Sequence, residues 1–308
     1  MILCVTLHTS VDQARWAASA GFHQPTSDLI GERVAGKGVN LARVLATLGC
    51  PVRALGMVGQ QDRARFETEL AAQGIASAWV EVAGPTRRNL TTLDPSLGLE
   101  SHERRPGFTV GHEQVEAMAR LLEAEVSAGD LVVFAGSLPD GVSGAQAMVL
   151  ARICQRRGAE IALDSGGEVL RLGLDLAPLL IAPNQTELFE LTGEARDAPL
   201  EVARQGATLL PSVRQVIVTL GPDGALLMDA TAAWHARVHV DRPVSSVGCG
   251  DALLAGFLDA RRQHRSPAEC LCRGVACGAA AAMQALAGDL ELDDVETLQQ
   301  RMELAALW

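Results

Sequence analysis

The feature that most constrains this chain is an alternation. Short apolar runs at residues 2–7, 52–58, 131–134, 160–163, 179–182 and 216–219 are separated by amphipathic segments of helical period. Those segments lie at about 38–48, 62–73, 111–126, 144–157, 184–191, 199–210, 249–263 and 266–286. Runs too short to cross a membrane, alternating with helical segments, predict a mostly parallel sheet covered on both faces. The last stretch, 292–308, reads as a closing helix. At 48% apolar and 20% charged residues, 308 residues are enough for one large α/β domain or two smaller ones.

Two stretches break the alternation. Residues 13–35 and 80–108 read as β-rich excursions that pair into a small sheet and cover a site like a lid. In open parallel sheets, ligands gather outside the carboxyl ends of the strands. Loops at 8–12, 135–141, 164–167, 183–187, 220–224 and 248–251 each follow an apolar run, so they are expected along one edge.

Composition narrows the function. No apolar run is long enough for a membrane span, and the first residues lack a basic leader, so a cytoplasmic protein with no membrane partner is expected. A net charge of −11 disfavours general binding of nucleic acid, though local cations such as Lys37, Arg87 and Arg88 can still hold small anions. Seven cysteines without a Cys-x-x-Cys pair read as buried thiols rather than a zinc site or disulfides.

Several turns carry chemistry. An apolar run ending at Val247 reads as a strand that enters Gly248-Cys249-Gly250-Asp251 and then a helix. Glycines leave the amides open, and the first amides of a helix attract negative charge. Asp251 there can take the proton of an attacking hydroxyl or simply cap the helix; these residues alone leave both open. Gly36-Lys37-Gly38-Val39-Asn40 has glycines around a lysine before a helix, an anion cradle with a cation in it. Gly31 to Lys37 imitates a phosphate-binding P-loop, but Gly38 stands where serine or threonine should hold magnesium. In Thr86-Arg87-Arg88-Asn89, adjacent strand residues face opposite ways, so one arginine can meet a ligand.

Together these residues resemble the ribokinase-like (PfkB-type) carbohydrate kinases. The carboxyl-side signature of that family, Gly-Ala-Gly-Asp, matches residues 248–251 with Cys249 in place of alanine. The amino-side signature, Gly-Gly-Lys-Gly-x-Asn-x-Ala, matches Ala35 to Ala42 with one glycine replaced by Ala35. The two lie roughly 210 residues apart, in the family's order. The resemblance implies a single domain over 1–308, with a three-layer α/β/α fold and a small β-sheet lid from about 13–35 and 80–108. It implies ATP and Mg2+ as cofactors.

Thr-Arg-x-Asn at Thr86–Asn89 is similar to the branch that acts on sugar phosphates, the 1-phosphofructokinases and tagatose-6-phosphate kinases. The implied acceptor is a sugar phosphate like fructose 1-phosphate or tagatose 6-phosphate. By that resemblance Gly36, Lys37, Gly38, Arg87 and Ser137 hold the substrate's phosphate end, while Asp12, Asn40 and Asn89 bind the sugar. Asp251 is the implied base, with Gly248, Cys249 and Gly250 around the phosphoryl group. Asn184, Thr219, Gly221 and Gly224 are implied on the nucleotide side, and Glu187 with Asn184 near the metal through water. The chain departs from the pattern at His8, Thr9, Ala35, residues 100–107, Ala182 and Cys249. A kinase of an unphosphorylated sugar or nucleoside, or a sugar-phosphate-binding regulator, are the alternatives. Pairing of two copies through the lid is a further expectation.

Overall fold

The computed structural model describes residues 1–17, 29–94 and 98–308. A ten-stranded sheet forms the centre, built from β1 (Ile2–Thr6), β4 (Val52–Gly59), β5 (Ala76–Val82), β8 (Leu131–Ala135), β9 (Glu160–Asp164), β10 (Leu180–Ile181), β11 (Gln215–Thr219), β12 (Ala225–Asp229), β13 (Ala233–Arg237) and β14 (Glu303–Ala306). The order is β14-β13-β12-β11-β10-β9-β8-β1-β4-β5. Strands from β5 through β11 in that order pair in parallel, and β12, β13 and β14 pair antiparallel. Continuous apolar strands fit a sheet buried on both sides, and β1 and β8 carry almost no exposed residue.

Helices cover both faces. Two apolar clusters flank the sheet. One includes Val39, Leu41 and Leu45 of α1 (Lys37–Thr47) with Leu254 and Phe257 of α8 (Cys249–Arg262). The other includes Met118 and Leu122 of α3 (His112–Glu125) with Leu150 and Ile153 of α4 (Gly144–Arg156). The α/β/α layering expected from the alternation is what the structure contains.

A second sheet of four strands has the order β3-β2-β6-β7. Its members are β2 (Ser10–Trp16), β3 (Leu29–Ala35), β6 (Arg87–Asp94) and β7 (Leu99–Arg104). They come from the two stretches that broke the alternation, with two corrections. The sheet begins at Ser10 rather than 13, and residues 80–82 belong to β5 of the central sheet, next to β4. Residues 18–28 of the first stretch and 95–97 of the second lie outside the described residues.

Two other expectations are corrected. Residues 243–247 are a loop, not a strand. Pro243 has no amide to give a ladder. The Val244 and Ser245 amides donate to the Ala282 carbonyl, and the Ser246 amide donates to Glu100. The closing helix 292–308 is α10 (Leu292–Gln300) alone; Glu303–Ala306 then joins the open edge of β13 as β14. Tertiary pairing there outweighs the helix propensity of Leu304, Ala305 and Ala306.

Candidate active site

The parallel strands all deliver their carboxyl ends to one edge of the central sheet. From β1 the chain runs through His8 and Thr9 into β2. The Thr9 hydroxyl donates to the Met57 carbonyl at 2.6 Å and fixes this crossing. Gly36 enters α1 at φ +126°, and a Cβ there would meet Thr6 Cγ2 at 2.8 Å, so the entry to the Lys37 helix admits glycine alone. Ala35 stands where the family signature has glycine, and it lies in extended β3, which any residue tolerates.

Lys37 reaches across to β9. Its Nζ lies 2.8 Å from Asp164 Oδ1, with the lysine side chain 39% exposed and the aspartate 6%. Burial alone would lower the ammonium, but Asp164, Asp251 and Glu187 outweigh it and hold it above its ordinary value. Lys37 therefore stays charged. The loop after β8 touches it, since Gly136 packs against the lysine Cβ.

Asp251 is the third residue of α8, after the Gly248 cap at φ +80°. It is 4% exposed, and Asn40 Nδ2 donates to its Oδ2 at 2.9 Å. Burial pushes its carboxyl up to about 7; Lys37 and the Asn40 bond pull the other way, and Asp164 and Asp12 add to the rise. A carboxyl poised near neutral pH can exchange a proton with a bound hydroxyl. Gly250, exposed, opens the first turn, where amides lack acceptors within the helix. The Cys249 thiol donates to the Ser245 carbonyl at 3.5 Å, and burial, with Asp251 and Glu100, pushes it up to about 12. It stays a neutral thiol at this turn.

The second sheet supplies the other wall. Parallel pairing sets Ser10 opposite Arg87 and Asp12 opposite Asn89, so these residues share a face. Asn89 Nδ2 donates to Asp12 Oδ1 at 2.7 Å. Burial raises the Asp12 carboxyl; the nearby Ser10 hydroxyl, the Asn89 bond and the charges of Arg87 and Arg43 partly offset it. Arg87 donates to the His8 carbonyl at 2.9 Å and lies 3.5 Å from Ser137 Oγ. Arg88 points the opposite way, to Asp62 at 2.9 Å, as strand alternation requires. Asn40 Oδ1, Asn89 Oδ1 and Asp164 Oδ2 are buried acceptors without a protein donor.

The residues expected on the nucleotide side form a neighbouring group. Asn184 caps α6 (Gln185–Thr192) and Glu187 closes a capping box with it. Asn184 also bridges to Thr219, which begins the turn through Gly221 and Gly224 into β12. Glu187 is half-buried and its charge reaches Lys37. Among the described residues, no three carboxylate, histidine or cysteine side chains cluster as a metal cage. One carboxylate beside an amide oxygen fits a hard cation that keeps most of its waters and leans on phosphates. The small residues of α9 (Pro267–Ala281) have a packing explanation, since Gly274 and Gly278 lie directly against Leu253 and Phe257 of α8.

Sequence reasoning missed two residues here. Asp164 ends an apolar strand with no local signature, and its partner is distant in sequence. Glu100 of β7 accepts from Ser245 Oγ at 2.6 Å, the Ser246 amide at 2.9 Å and Ser246 Oγ at 2.8 Å. It thereby ties the second sheet to the loop that leads into Gly248. A cavity of about 370 Å³ is lined by Gln13, Glu32, Arg65, Arg88, Asn89, Leu90 and Arg105. Its arginines are already held by Glu32, Asp62, Glu69 and Glu103. Asp12 and Arg87 do not line this cavity.

This arrangement can be set beside known proteins. A family model described as pfkB family carbohydrate kinase matches residues 24–293. The chain belongs to that family. The family's enzymes are phosphotransferases with an alcohol group as acceptor, and so is this one. It is 32% identical over 304 residues to a 1-phosphofructokinase of Bacillus subtilis, covering 97% of each chain. It is 30% identical over 284 residues to one of Vibrio cholerae, covering 91% of this chain and 89% of that one. Phosphofructokinase-2 of Escherichia coli, solved in complex with substrates and products, superposes with a TM-score of 0.89 at 26% identity, over 97% of this chain and 98% of the other. These likenesses support the 1-phosphofructokinase branch of the family. Among the described residues, no helix is long and apolar enough to cross a membrane.

Proposed function

We propose that this carbohydrate kinase transfers the γ-phosphoryl group of ATP to a hydroxyl of a ketohexose phosphate of the fructose 1-phosphate or tagatose 6-phosphate type. One observation carries the reading. A buried carboxyl held above its ordinary value by that burial, Asp251, shares its edge with a charged lysine and with an arginine–serine pair on the facing wall. Arg87, Ser137 and Lys37, with Gly36 and Gly38 leaving room, grip the phosphate already on the sugar. Asp12, Asn40 and Asn89 orient its hydroxyls; the unpaired Asn oxygens are acceptors for them. Asp251 takes the proton of the attacking hydroxyl. Amides of Gly248, Gly250 and Asp251 face the transferring group, while the Cys249 amide is already donated to the Ser246 carbonyl at 3.4 Å.

Thr219, Gly221 and Gly224 carry the nucleotide's phosphates, beside Asn184 and Glu187. When bound there through water, Mg2+ supplies charge neutralisation to the phosphates. The second sheet acts as the lid that excludes water. The exposed β7 edge of that sheet is the surface on which a second copy would pair.

The test is ADP release from the full-length protein with fructose, fructose 1-phosphate, fructose 6-phosphate and tagatose 6-phosphate. The reading expects one phosphate to exceed fructose in kcat/KM by at least about 100-fold, the scale of a lost charge-assisted phosphate grip. Equal turnover of the free sugar would move the assignment to a kinase of unphosphorylated acceptors. Saturable binding without ADP release would move it to a regulator.

A further inference from the structure

We propose that His8 is a specificity-determining residue: its imidazole joins Arg87 and Ser137 around the acceptor's phosphate and takes up a proton as that phosphate binds. The inference rests on the sugar-phosphate reading above.

The geometry comes first. His8 follows β1 and precedes Ser10, which the β2–β6 register sets opposite Arg87. Arg87 Nη2 holds the His8 carbonyl at 2.9 Å, Arg87 Nη1 is 3.5 Å from Ser137 Oγ, and Ser137 Oγ is 3.2 Å from His8 Nδ1. A guanidinium, a hydroxyl and an imidazole therefore meet at one point. Phe108 stands edge-on to the ring, with centroids 6.0 Å apart and planes at 63°, and limits its swing. The ring is half-buried, so it is reachable from the cleft.

The charges around the ring decide its state. Arg87 faces it from β6, and Asp140 and the Leu138 carbonyl face it from the loop after β8. Burial, then Arg87, lower its pKa to about 4 against the opposing pull of Asp140 and Leu138. In the free protein the ring is neutral at pH 6–8. It accepts from or donates to Ser137 without adding a second cation beside Arg87. A phosphate dianion seated against Arg87 reverses the local sign. Two negative charges about 5 Å from the ring favour its protonated form by about 10³-fold or more at an effective dielectric of about 20. That is enough to bring the imidazole into the neutral range. The proton comes from solvent on binding and returns to solvent when the product leaves. A free sugar brings no such charge and triggers no uptake.

Calorimetric titration of the full-length protein with fructose 1-phosphate, in two buffers of different ionisation heat at pH 6.5, counts the protons. The expected result is net uptake with the sugar phosphate and none with fructose. His8→Asn keeps an amide donor but cannot titrate. It should remove the part of the uptake that His8 supplies, most of one proton, and raise KM by about 10–30-fold. His8→Gln, a second amide, should behave alike, with both melting temperatures near that of the wild type. A wild type that prefers sugar phosphates yet takes up no proton would overturn the inference and leave the substrate reading standing, as would an Asn variant with unchanged uptake. A wild type indifferent to the phosphate would remove both.

Discussion

The two sheets hold their functional groups by different physics. The central sheet is apolar on both faces, and at its carboxyl edge the groups it positions meet over buried carboxylates: Lys37, itself partly exposed, with Asp164, and Asn40 with Asp251. The second sheet has mostly half-exposed strands. It is fastened to the rest by polar ties: Arg33 to Asp289 at 2.7 Å, Arg65 to Glu32, Arg88 to Asp62, and Glu100 to Ser245 and Ser246. Close packing resists displacement, whereas polar ties at a surface contribute little each and can release. The difference assigns tasks. On the proposed function, the base Asp251 belongs with the buried groups, whereas Arg87, which favours a phosphorylated acceptor, belongs to the second sheet.

Substitutions can break that division. Lys37→Met, which leaves Asp164 buried without its cation and strips a charge from the acceptor's phosphate, should lower kcat/KM for sugar phosphates by about 10³-fold in the ADP-release assay. Arg87→Ala, on the second sheet, should cost about 100-fold in kcat/KM for sugar phosphates, mostly in KM, and spare free sugars. A kcat loss shared by both acceptors would erase the distinction between the sheets. Glu100→Gln weakens the tie between β7 and the loop before Gly248. It should cost about tenfold in activity and speed hydrogen exchange in β7 without changing exchange in β1.

The smallest effect is on stability. Asp251 is raised from 3.8 to about 7 in the fold, so the native state binds more protons than the unfolded chain between those values. Its cost to the fold is therefore full above pH 7 and is relieved as pH falls through 7. Asp251→Asn, neutral throughout, should melt about 2–4 °C above the wild type at pH 8, with the gain shrinking toward pH 6. A lower melting temperature at pH 8 would contradict the burial argument.

What could be read from the sequence was what contiguous residues decide. The Gly36–Lys37 helix entry and the Gly248–Asp251 turn are local devices, and both are where the residues place them. Strand alternation separated Arg87 from Arg88 correctly, because period two needs no tertiary knowledge. The failures lie where distant partners decide. Residues 243–247 carry β-branched valines, yet their amides are taken by Ala282 and Glu100. Residues 303–306 favour a helix, yet an open sheet edge recruits them. Asp164 and Glu100 have no local pattern; one matters through a lysine 127 positions away and the other through serines some 145 away.

The central claim is that the Asp251 carboxylate removes the acceptor's proton. The most direct measurement is steady-state ADP release by Asp251→Asn, with ATP binding measured by calorimetry on the same sample. The account predicts a folded protein that binds ATP with unchanged affinity and turns over at least about 10³-fold more slowly. Turnover within about tenfold of the wild type would contradict it.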